Sequence, residues 1–118
     1  MDSSEVDLTD AWTPQSCTLP TAERPVRVAE FDQFFRDAVR GVRRRAPTWL
    51  SLDLEPAAES AARAASLALR ETTCCSFFTF TLTVVGGVLQ MGVSVPDSYV
   101  EVLDALADRA EALAGARS

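Results

Sequence analysis

Histidine, lysine, asparagine and isoleucine are all missing from this 118-residue chain. Without histidine there is no Ser-His-Asp or Cys-His nucleophile system, and no zinc set that uses imidazole. Without lysine there is no Schiff-base chemistry and no phosphate loop ending in Gly-Lys. Cysteine is scarce, with Cys17, Cys74 and Cys75 the whole supply. No apolar run approaches the length that spans a bilayer, so no membrane partner is expected. The opening MDSSEVDLTDAWTPQ lacks the basic start and apolar body of a secretory signal. A cytoplasmic location is therefore expected.

Every cationic side chain is an arginine, and the acids outnumber them seventeen to eleven for a net charge of −6. That balance repels phosphate backbones, and no nucleic-acid partner is expected. Arg40, Arg43, Arg44 and Arg45 form a local exception. They read as a solvated turn or strand surface. The abundance of arginine and alanine reads as the bias expected of a GC-rich, bacterial genome.

With 47% apolar and 24% charged residues, the chain has the composition of one soluble globular domain. Residues 1–11 read as a flexible acidic tail and residues 12–118 as a single α+β domain. Pro14, Pro20 and Pro25 interrupt regular structure in the first part, where Trp12, Cys17 and Leu19 could pin a loop to the body. From Val28 to Val39 the apolar spacing is helical, with Phe31, Phe34, Phe35 and Ala38 on one face and Gly41 as the expected stop. TWLSLDLE alternates, so Leu50, Leu52 and Leu54 face a core while Trp49, Ser51 and Asp53 face away. Residues 40–45 could form a partner strand across an Ala46-Pro47 turn.

Pro56 suits the opening of a second helix, rich in alanine, that runs to the cysteine pair. FFTFTLTVV and VLQMGVSV are strands joined by Gly86-Gly87, a hairpin signal. Phe78, Phe80, Leu82 and Val84 form the apolar face of the first, and threonines form its other face. Ser98 with Glu101 makes a capping box for a last helix. The sum is an antiparallel sheet of three to four strands with about three helices packed on it.

The chemistry concentrates in ETTCCSFFTF, residues 71–80. Adjacent helical residues point about 100° apart, so the two thiols share a side only if the helix has ended. Thr72 and Thr73, weak helix formers, suggest that it ends there. Glu71 lies three and four residues before the pair, a spacing at which side chains meet. If the loop bearing Cys17 folds over this corner, three thiolates converge beside a carboxylate. Such a set selects Hg(II), As(III), Cd(II) or zinc, although tetrahedral zinc would need a fourth ligand. Two other readings stand beside it. Free cysteines often pack as small hydrophobes, and the spacing matches no paired C-x-x-C zinc signature.

Redox sensing is the other alternative. A bond between adjacent cysteines strains the intervening peptide, which favours Cys17 as partner to Cys74 or Cys75. A lasting disulfide is not expected in a reducing cytosol. The helix C-terminus would raise a thiol pKa, which argues against an activated nucleophile.

CTLPTAERPVRVAEFDQFF followed by RETTCCSFFTFTLT resembles a group of small, uncharacterised actinobacterial proteins linked with heavy-metal resistance and mercury- or arsenic-responsive regulation. CCSFF is also remotely similar to the vicinal cysteine motif of organomercurial lyase. That likeness implies Cys17 as a distant upstream thiol and Cys74 or Cys75 as the second, but no acid matches closely, Glu23 being the nearest after Cys17. The primary expectation is thus binding of a soft heavy-metal or metalloid ion through Cys17, Cys74 and Cys75. Glu71 would be an auxiliary ligand or proton acceptor. Catalytic residues stay unassigned. The alternatives are an organomercurial-lyase-like enzyme and a protein-interaction module, such as a homodimer formed by strand pairing.

Overall fold

Proline lacks an amide proton, and the first turn of a helix is where that loss has no consequence. Pro25 occupies that place in α1 (Arg24–Ala38), which begins four residues earlier than the apolar spacing indicates. The computed structural model describes residues 24–116. The tail expected over residues 1–11 and the loop carrying Trp12, Cys17 and Leu19 lie outside these, as does the side chain of Cys74.

After α1 come β1 (Val39–Ala46), β2 (Trp49–Leu54), α2 (Ala58–Cys74), β3 (Thr79–Val85), β4 (Val88–Ser94) and α3 (Val100–Ala116). A 3-10 turn over Asp97–Tyr99 leads into α3. The strands form one antiparallel sheet in the order β1-β2-β4-β3. The fold is α+β, as the pattern of elements indicates.

Gly41 is not the stop of α1. The helix passes straight into β1, because the Ala38 carbonyl accepts a 2.8 Å hydrogen bond from the Glu55 amide, so no glycine cap is required. Gly41 instead sits in β1 at a register shift, where a Cβ would come within 3.0 Å of Asp53 Oδ2. Pro56 likewise lies just before its helix, since α2 opens at Ala58.

The register aligns one face of the sheet. Leu50, Leu52 and Leu54 on β2 oppose Val93, Met91 and Leu89 on β4. All six are buried, with Phe31, Phe34 and Phe35 of α1 and Leu103, Leu106 and Ala110 of α3 completing the core. Burial of such side chains contributes about 1.5–3 kcal/mol each. β1 behaves differently at Arg44, which lies opposite Leu50 on this face. Its guanidinium bonds the carbonyls of Ala46 and Pro47 and Asp104 of α3, at 2.6–3.0 Å. An arginine can occupy a core-facing register there because its charged end reaches the rim.

β3 departs from the simple alternation. Phe78, just before it, is buried and Phe80 half-buried, but Leu82 is 37% and Val84 70% exposed. The apolar face expected over Phe78–Val84 therefore runs out from under the helices. The alanines of α2 are too short to cover its far end. A groove of about 230 Å³ remains there, lined by Pro56, Ala57, Ala58, Ala61, Val84 and Val88 among others.

Candidate functional site: the α2–β3 corner

Threonine in a helix can donate its hydroxyl back to a carbonyl one turn earlier. Thr72 does so to Ala68 at 3.0 Å and Thr73 to Leu69 at 2.9 Å, so both stay helical. The helix break expected at these threonines falls later, between Cys74 and Cys75. Cys75 has φ −125° and ψ 86°, outside the helical range, while its amide still donates to the Glu71 carbonyl at 2.7 Å. The two cysteines thus differ in backbone conformation.

Glu71 and Cys75 are each 1% exposed. A glutamate reaches such burial only with a partner, and it does so here at the same corner as the cysteine. Phe78, whose amide donates to the Cys75 carbonyl at 3.3 Å, joins Cys75 in the core. Phe77 stacks on Tyr99 at 4.2 Å and 5°, closing the corner with the turn before α3. Phe77 and Phe78 lie 4.6 Å apart, and Phe78 and Phe80 5.4 Å apart. Glu71 and Cys75 are thus buried at the end of α2, and the rings of Phe77, Phe78 and Phe80 follow directly in the chain. The paired phenylalanines are visible in CCSFF, whereas the contact of Phe77 with Tyr99 spans more than twenty residues and has no local signal.

Cys75 is disulfide-bonded. No lasting disulfide is expected of cysteines in a reducing cytosol, and the structure differs from that expectation at Cys75. Cys17 and the Cys74 side chain lie outside the described residues, so the bond is described from Cys75 alone. Among the described residues no group of three His, Cys, Asp or Glu side chains is placed to hold a metal ion.

Other carboxylates on and after β2 are engaged by cations and amides. Asp53 accepts from Arg43 at 2.6 Å and from Gln90 at 3.0 Å, on the sheet face away from the helices. Glu55 pairs with Arg40 at 3.3 Å. Three of the four clustered arginines, Arg40, Arg43 and Arg44, face carboxylates at 2.6–3.3 Å, which fits a solvated strand surface. Trp49, 48% exposed, lies across Gly92, whose absent Cβ would stand 3.2 Å from its indole nitrogen. No helix of the described residues is long and apolar enough to cross a membrane. Neither a protein-family model, nor a curated protein, nor a solved structure matches the chain.

Proposed function

We propose that the α2–β3 corner, in its reduced state, binds a soft heavy-metal or metalloid ion of the Hg(II), As(III) or Cd(II) class in the bacterial cytoplasm. The observation that carries this reading is the disulfide at the buried Cys75. A disulfide requires a second sulfur at bonding distance, and Cys17 and Cys74 are the chain's other two. A dithiol reductant supplies two electrons and two protons, turning the bond into two thiols already close together. An incoming ion then displaces the protons and takes both sulfurs as thiolates, with the third cysteine as a further ligand. Glu71 would act as auxiliary ligand or proton acceptor. The thiols must lose protons, so binding strengthens as pH rises.

Enclosure supports the choice of ion. A buried thiolate without a positive partner is unfavourable, and a bound cation provides that partner. Oxidation and ion binding exclude each other because they use the same sulfur. The corner would therefore hold an ion only where the cell keeps thiols reduced.

Native mass spectrometry tests this directly. The reduced chain and each Cys→Ser variant are titrated with Hg(II), As(III), Cd(II) and Zn(II) against excess competing thiol, and the oxidised chain against a thiol-free chelator that leaves its disulfide intact. One ion per reduced chain is expected, with none on the oxidised chain and loss on replacing Cys75. Failure of the reduced chain to retain any ion over the competitor would return the cysteines to a packing role.

A further inference from the structure

An edge strand presents a row of unpaired backbone groups, and folded proteins commonly protect such edges with charge or bulges. β1, at one edge, has both. It carries four of the chain's arginines and two register shifts. β3, at the other edge, has neither. TFTLTVV contains no charge, proline or glycine, and it pairs with β4 without a shift from Thr79 to Val85. Among the described residues this strand of high β propensity ends the sheet, and its own sequence carries no defence.

Its register defines what fits there. A two-residue turn at Gly86-Gly87, both with positive φ, closes the hairpin on Val85 and Val88. Counting alternate pairs from that closing pair, Val85, Thr83, Thr81 and Thr79 direct their backbone groups to β4. Phe80, Leu82 and Val84 direct theirs outward. These are also the residues whose side chains lie on the helix-covered face and escape full burial.

We propose that two copies of the chain join edge to edge through β3, antiparallel and centred on Leu82, into one continuous sheet with four strands from each copy. In this register Leu82 faces Leu82, Phe80 faces Val84, Thr81 faces Thr83, and Thr79 faces Val85 of the second copy. The strand is self-complementary. Apolar residues meet apolar ones on the face that carries the helices, and on the other face Thr81 meets Thr83 while Thr79 meets Val85. The outward backbone groups of Phe80, Leu82 and Val84 find reciprocal partners at the same time. The second copy's Phe80, opposite Val84, comes beside the 230 Å³ groove that the short alanines of α2 leave at the hairpin end.

Light scattering coupled to size exclusion, on the full chain in reductant, reads the assembly. The wild type should show twice the single-chain mass. Leu82→Lys sets two like charges opposite each other at the centre and should halve that mass with unchanged far-ultraviolet circular dichroism. Val84→Lys changes a side chain already 70% exposed, so it should fold normally and also halve the mass, which covers the case of a misfolded Leu82 variant. A wild type of single-chain mass at every concentration overturns the proposal. So does a dimer that survives both substitutions. Single-chain mass with slow hydrogen exchange at Phe80, Leu82 and Val84 would assign the edge to the chain's own N-terminal residues, and equally overturns it.

Discussion

Asp32 is the clearest case of a single side chain joining distant parts of the chain. It accepts from Arg109 Nε at 2.8 Å and from a terminal guanidinium nitrogen at 2.5 Å, which bridges α1 and α3. The carboxylate is buried and the arginine sits at the rim. The hydrogen bond to Asp32 raises the pKa of Arg109, helped by its charge and opposed by burial. A raised folded-state value means that the arginine's share of this stability is fully present at neutral pH. It fades only as pH climbs through an already alkaline range. Asp32→Asn should lower unfolding stability by about 2 kcal/mol, the worth of a hydrogen bond to a charged group, read as a shift in urea midpoint at constant slope. An unmoved midpoint would make the pair a passive surface contact. Gly92→Ala tests a second local fit, because the new methyl would press on the Trp49 indole at 3.2 Å. With Trp12 replaced by Phe, the fluorescence of Trp49 should shift to the red as the ring lifts from the sheet.

The elements show where local signals were enough. Gly86 and Gly87 have φ of +56° and +79°, which side chains adopt only with strain, and the Gly-Gly pair marked the hairpin. Gly87→Ala should cost about 1 kcal/mol, visible as a lower thermal midpoint, with no change in the sheet's spectrum. The Leu50, Leu52 and Leu54 alternation likewise placed β2 on the core. Helix ends were less legible. α1 was expected to stop at Gly41, yet its last carbonyl is satisfied by the Glu55 amide, a partner seventeen residues away in sequence. Thr72 and Thr73 looked like breakers but bond back to their own helix, carrying the turn to Cys74.

For the molecule as a whole, the proposed ion site and the proposed β3 edge make separate predictions. A ligand that binds the native state alone stabilises it by mass action, about 2.7 kcal/mol at a hundredfold excess over its dissociation constant. Hg(II) should therefore raise the unfolding midpoint of the reduced chain more than that of the oxidised chain, in which one thiol remains. Equal shifts in both would place the ion away from Cys75. Each copy carries −6, so two copies repel and added salt should increase the dimer fraction. A fraction that falls with salt would indicate ion pairs at the interface, which the uncharged β3 edge does not supply.

The sequence by itself determined the α+β class, the three helices, the core faces of β2 and β4 and the hairpin, because each rests on neighbours within a few residues, and it left β1 open. It also singled out Glu71 and the cysteine pair, and the missing histidine and lysine narrowed the chemistry to thiol and carboxylate. Tertiary structure alone decided that Glu71 and Cys75 are buried together and that Tyr99 closes their corner. It alone decided that the apolar face of β3 outruns the helices. Burial and edge position depend on which elements pack side by side, and that arrangement is set by contacts between residues far apart in the chain.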